Sequence, residues 1–155
     1  MKILKILIAI VVVLLIVFAV LAPIGPVPGF FIGGTATAAP ADWPDSANVH
    51  EIKLKVSGGI PRTVIIWVAE YEDELYVVGD KNSGWVSKIG EGSPVEMNLE
   101  GKTYSLTAER VTENWQAPVV AWREKYEPDY PEIIAGFPKL EEAGDTVRVY
   151  RLSRG

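Results

Sequence analysis

The chain has 155 residues, a formal net charge of −5, 48% hydrophobic residues and no cysteine. Disulfides, thiolate nucleophiles and zinc ribbons are thereby excluded, and the single histidine, His50, rules out a His-rich metal site and makes a Ser-His-Asp triad hard to build. The acidic balance argues against a nucleic-acid partner, and the length suits one folded domain with an appendage.

Residues 6–22 are an uninterrupted apolar run rich in Ile, Val and Leu, preceded by Lys2 and Lys5. At about 1.5 Å per residue a helix of this length comes near the roughly 30 Å core of a bilayer, so residues 1–22 read as a transmembrane anchor or uncleaved signal. The positive flank predicts a single-pass protein of the cell membrane, with a cytoplasmic N-terminus and an extracytoplasmic C-terminal domain. A cleaved signal peptide competes, because Ala36-Thr37-Ala38 fits a small-x-small processing site. The apolar run, however, exceeds the roughly 7–15 residues of a signal core, and that site lies far beyond it.

Residues 23–47 shift to Pro, Gly, Ala and Thr, with Pro23, Pro26, Pro28, Pro40 and Pro44 opposing helix or central strand. This stretch reads as a linker. Inside it, Phe30-Phe31-Ile32 suits either a membrane interface or a docking contact with the domain.

The folded domain is expected over residues 48–155. Ile52, Leu54 and Val56 alternate with polar residues as in a half-buried strand, and residues 63–68 form a dense apolar strand. An acidic tip, Glu70-Tyr71-Glu72-Asp73-Glu74, joins that strand to another at residues 75–79. A second hairpin follows, with Val95, Met97 and Leu99, a turn at Gly101-Lys102, then Tyr104, Leu106 and Ala108. Trp115, Val119, Trp122 and Tyr126 fall at helical spacing, with Asn114 as N-cap, Pro118 in the first turn and Pro128 with Pro131 ending the element. Pro131 opens a short helical turn, and residues 146–152 give a last strand. The pattern predicts a mainly β domain with one main helix, α+β, built as an antiparallel barrel.

Two strands deliver two loops to one end, Gly58-Gly59-Ile60-Pro61-Arg62 and Asp80-Lys81-Asn82-Ser83-Gly84-Trp85. Each combines glycine, which lets backbone N–H groups approach a ligand, with a cation, the composition an anion needs. Ordinary turn chemistry would look the same. Trp67, Trp85, Trp115 and Trp122 read as core or wall residues, the acidic tip as a solvated charge cluster, and His50 as surface or hydrogen-bonded, with haem ligation as its alternative. Ser83 lacks a nucleophile-elbow context.

The order Ser57-Gly58-Gly59-Ile60-Pro61-Arg62-Thr63, apolar strand ending in Trp67, Leu75-Tyr76-Val77-Val78, Ser83-Gly84-Trp85, Pro94-Val95-Glu96-Met97 and later Lys125-Tyr126 resembles the split β-barrel flavin-binding superfamily. More narrowly it resembles deazaflavin-dependent nitroreductases and pyridoxamine-phosphate-oxidase-like proteins. The resemblance implies a six-stranded antiparallel split β-barrel behind the N-terminal transmembrane helix. It further implies an oxidoreductase that binds FMN or a deazaflavin coenzyme and reduces a lipophilic small-molecule acceptor, and it admits a homodimer. Carried onto this chain, the cofactor contacts are Gly59, Arg62, Thr63, Lys81, Ser83, Gly84, Trp85 and Lys88; no catalytic residue and no metal site is assigned. Two departures stand out: a first loop with only hydroxyl and backbone donors before Arg62, and an acid in Glu91-Gly92-Ser93-Pro94. Both fit the alternative, a cofactor-free barrel that serves as an interaction module for an envelope protein at the outer face of the membrane.

Overall fold

A computed structural model describes residues 2–21, 23, 28–43 and 46–154; Ala22, Pro26 and Pro44, which the anchor and linker expectations include, lie outside the described residues. The first helix, α1 (Lys2–Leu21), exposes every side chain described in it, those of residues 2–18.

The membrane placement is corrected here: among the described residues no helix is long and apolar enough to cross a membrane. In α1, Lys2 and Lys5 occupy the first turn, and the charge-free part of the helix is residues 6–21. Those sixteen residues rise about 24 Å, short of the roughly 30 Å core of a bilayer. The expected transmembrane helix and the localisation built on it are therefore withdrawn.

After a two-residue strand, β1 (Thr35–Ala36), come β2 (Glu51–Val56), β3 (Arg62–Tyr71) and β4 (Glu74–Asp80), then α2 (Gly84–Ile89), β5 (Gly92–Leu99) and β6 (Lys102–Arg110). The chain continues through α3 (Gln116–Tyr126), α4 (Pro131–Ala135) and α5 (Leu140–Ala143) to β7 (Val147–Arg154). The antiparallel order β6-β5-β2-β3-β4-β7 closes when β7 pairs back onto β6, giving a six-stranded barrel. Alternation explains its interior: Ile52, Leu54, Val56, Val95, Met97, Leu99, Tyr104, Leu106 and Ala108 face the core, as their spacing predicts.

Pairing between β3 and β4 is confined to Val68↔Val77 through Tyr71↔Glu74, so the first half of β3 parts from the last half of β4. Helix α2 packs Trp85, Val86 and Ile89 into the barrel core. It fits because Gly79 has no side chain: a Cβ there would collide with the Trp85 ring. Outside the barrel, α3 and α4 cover β3 with a second cluster of Ala69, Trp122, Tyr126 and Ile134, where Trp67 stacks on Tyr126 at 4.3 Å and 10°.

Several local expectations shift. The tip of the β3–β4 hairpin is the two-residue turn Glu72-Asp73, both left-handed (φ 51° and 62°), so the strands run further into the acidic stretch than expected. The second hairpin turns at Glu100-Gly101, and Lys102 already belongs to β6. Helix α3 is preceded by Trp115 rather than capped by Asn114, which is itself left-handed (φ 52°). Pro118 does lie in the first turn of α3, and Pro131 opens α4.

Segment 28–43 is laid along the barrel. Gly29 exchanges two backbone bonds of 2.8 Å with Thr63, and β1 runs parallel to Lys102 and Thr103. Asn98 Nδ2 and Thr103 Oγ1 donate to the Gly33 carbonyl, at 3.0 and 2.5 Å. Ile32 is buried, whereas Phe30 and Phe31 are exposed. Trp43 enters the barrel core.

Candidate functional site

The two loops singled out by composition meet at the end of the barrel closed by α2. Residues opposite one another in an antiparallel pair share a face. Arg62 lies opposite Val56 and therefore faces the barrel side, whereas Thr63, opposite Lys55, faces outward. The Arg62 guanidinium rests against Gly84, where a Cβ would collide with Nη1. It makes no ion pair among the described residues, and its Nε is buried without a hydrogen-bond partner among them. A buried, unmatched guanidinium donor costs free energy that an anion would recover.

Lys88, near the end of α2, reaches back to the first loop, its Nζ donating to the Ile60 carbonyl at 3.0 Å. That path brings Nζ within 3.1 Å of where a Gly58 Cβ would stand, and Gly58 itself sits at φ 146°. Gly59 is exposed with open space over its Cα. The structure thus brings Gly59, Arg62, Gly84 and Lys88 to one place.

The other expected contacts have different surroundings. Thr63 is fully buried under the Gly29 bridge, its hydroxyl without a partner among the described residues. Trp85 is 7% exposed and packs against Tyr150, with ring centroids 5.8 Å apart, so its ring belongs to the core. Ser83 precedes α2: its N–H donates to the Asp80 carbonyl at 2.9 Å, and its carbonyl accepts from the Ser87 N–H at 3.0 Å. Lys81 has an exposed side chain, while its backbone N–H donates to the Thr146 carbonyl at 2.8 Å beside β7. A cavity of about 380 Å³ adjoins the first loop, lined by Ser57, Gly58 and Pro61 together with Lys55 and Glu96. Lys55 and Glu96 form an ion pair across β2 and β5.

A second polar constellation was visible in the sequence only as the Lys125-Tyr126 pair. The Lys125 ammonium spends its three donors on the carbonyls of Ser46 and Val49, both at 2.7 Å, and of Val68 at 2.8 Å. Tyr126 Oη accepts from the Val68 N–H at 3.0 Å and lies 2.5 Å from the His50 carbonyl. Together they fasten segment 46–50 to β3. Their signal in the sequence is a lysine and tyrosine adjacent on the buried side of α3. His50 is a surface residue 3.5 Å from Asp129, flanked edge-on by Tyr126 and Tyr130.

Burial pushes the Lys125 pKa down to about 8, with Glu70 opposing the shift, and burial raises that of Tyr126. Between about pH 8 and the ordinary lysine value of 10.5, the unfolded chain binds more protons at Lys125 than the folded one does. Lys125 therefore adds stability as pH rises through that window. Wild-type stability should gain on Lys125→Met between pH 7.5 and 9.5 in paired urea titrations; a constant gap would refute the assignment. Above about pH 10 the raised tyrosines act oppositely, because the unfolded chain then ionises first.

No protein-family model matches the chain, and no curated protein matches it in sequence. Among solved structures it is similar to the FAD and heme binding protein from Mycobacterium smegmatis, with TM-score 0.52 and 13% identity over 71% of this chain and 63% of that one. The chain spans less than two thirds of that protein's length. It also matches a NimC/NimA family protein from Clostridium acetobutylicum (TM-score 0.45, 19% identity, covering 66% of this chain and 71% of that one). A third match is a putative 5-nitroimidazole antibiotic resistance protein from Bacteroides thetaiotaomicron (TM-score 0.47, 15% identity, 68% and 73%). At 13% identity the likeness to the Mycobacterium smegmatis protein is one of fold, here a six-stranded antiparallel barrel of the split-barrel kind.

Proposed function

We propose that the end of the barrel closed by α2 holds the phosphate of a flavin or deazaflavin nucleotide, and that the protein is an oxidoreductase acting on a small-molecule acceptor. The observation that carries this reading is Arg62, a partly buried guanidinium with no ion-pair partner among the described residues and an unmatched Nε, placed against a glycine. Its planar fork suits two oxygens of a phosphate. Lys88 keeps two donors beyond its bond to Ile60, and the exposed backbone at Gly59 offers close approach.

The fold likeness supports the same reading, since the Mycobacterium smegmatis protein is described as binding FAD and heme. A bound flavin would supply hydride or electron transfer, while this chain's residues would bind and orient it. Thr63 and Trp85 take no phosphate-holding role in this account, because one faces the opposite side of β3 and the other is core. The test is thermal unfolding of the full-length chain with FMN and with a deazaflavin nucleotide. A ligand present at about 100 times its Kd should add about 2.7 kcal/mol, whereas no shift with either removes the proposal.

A second reading, the cofactor-free interaction module, is favoured by the internal use of Lys88 at Ile60 and the burial of Trp85. Under it, purified protein shows no flavin absorbance, and Arg62→Ala retains whatever partner the wild type captures.

A further inference from the structure

A different cavity, of about 110 Å³, opens beside β7, lined by Arg110, Thr112, Trp115, Gly144, Val147 and Arg148 among others. A single water needs only about 10–15 Å³ of such space, so there is room for an anion of four oxygens. Two guanidinium groups share this lining, and they are compensated unequally. Arg110 pairs through Nη1 with Glu91, whose side chain is 77% exposed. Arg148 has no carboxylate partner among the described residues: its Nη1 donates to the carbonyls of Gly144 at 3.2 Å and Val147 at 2.8 Å.

A guanidinium carries five N–H donors in one plane, so Arg148 keeps most of its hydrogen-bonding capacity for a ligand. Thr112, which carries a hydroxyl, and Trp115, which carries an indole, line the same cavity. The Val111 N–H is already given to the Val149 carbonyl at 2.9 Å and is not free for a ligand. One net positive charge, in a partly enclosed space lined by planar donors, is the arrangement in which an oxoanion gains most.

We propose that this cavity is a second anion site, separate from Arg62, which takes a tetrahedral oxoanion: inorganic phosphate or the terminal group of a phosphate monoester. The test is calorimetric titration of the full-length chain with inorganic phosphate and with glycerol 3-phosphate, at ionic strength held constant with chloride. Saturable binding is expected for at least one probe; equal or tighter binding of inorganic phosphate identifies a free anion, and tighter binding of the ester an organic phosphate. Arg148→Ala should weaken binding by about tenfold or more, the loss of a charge-assisted hydrogen bond. Thr112→Val should weaken it by a smaller factor and serves as the deciding variant if Arg148→Ala fails to fold, and a saturable binding event that depends on Arg148 should persist in Arg62→Ala even where phosphate bound at the barrel end is lost. Absence of saturation with both probes overturns the proposal, as does wild-type affinity in the folded Arg148 variant or, failing that, in Thr112→Val. Loss of all saturable binding in Arg62→Ala would assign the anion to the other site and overturn it equally.

Discussion

Trp43→Ala should lower the unfolding free energy by about 3–5 kcal/mol, a large share of the roughly 5–15 kcal/mol available to a domain of this size. Trp43 is 3% exposed, belongs to the barrel core and meets Tyr104 edge-on, with centroids 5.2 Å apart at 88°. Arg154, at the end of β7, lies over its ring at 5.1 Å and donates from Nε to the Pro40 carbonyl at 2.7 Å. Truncation would therefore open a cavity and loosen the attachment of segment 40–43 together. Trp43→Phe keeps the aromatic contact and removes an indole N–H that is buried without a partner among the described residues, so it should cost far less. Urea titrations of the two variants measure both; a cost below about 1 kcal/mol for Trp43→Ala would mean that this segment adds nothing to the barrel.

Arg62→Ala should weaken flavin nucleotide binding by about 10- to 150-fold, corresponding to the roughly 1.5–3 kcal/mol of hydrogen bonds to a charged group. The same substitution should leave the melting temperature unchanged or slightly raised. Arg62 has no ion pair to lose among the described residues, and its unmatched Nε disappears with the side chain. This split between binding and stability separates a ligand-holding arginine from a structural one. A variant that lost stability and affinity in parallel would place Arg62 in the fold rather than in the site.

Period-two alternation made β2, β5 and β6 legible, because each buries one face against the barrel interior and exposes the other. The stripe of Val119, Trp122 and Tyr126 likewise located α3, the one long helix packed on the sheet among the described residues. Helix α2 escaped because its six residues begin at Gly84 within Ser83-Gly84, which reads as a turn, and because Trp85, Val86 and Ile89 are too few to set a period. Trp43 was hidden by its neighbours: a Pro- and Ala-rich stretch reads as linker, and only the tryptophan near its end signals that this part is docked.

The candidate site was legible at the level of loops and only partly at the level of side chains. Composition singled out the loops that carry Arg62 and Gly84, whose guanidinium and backbone lie against each other, while Lys88 entered only through the resemblance. Composition could not separate Arg62 from Thr63, although neighbouring strand residues point to opposite faces. Nor could it register that Trp85 fills the space over Gly79. The anchor expectation failed for a reason of length: hydropathy marks an apolar run, while a span also needs a charge-free helix long enough to cover the bilayer core.

The most direct measurement is the ratio of affinities for FMN and riboflavin, which differ by the phosphate alone, determined by fluorescence titration of the full-length chain and of Arg62→Ala. A phosphate held by Arg62 predicts that FMN binds the wild type at least about tenfold more tightly than riboflavin does, and that the variant loses this preference. Equal affinity for the two in the wild type, or a preference that survives Arg62→Ala, would contradict it.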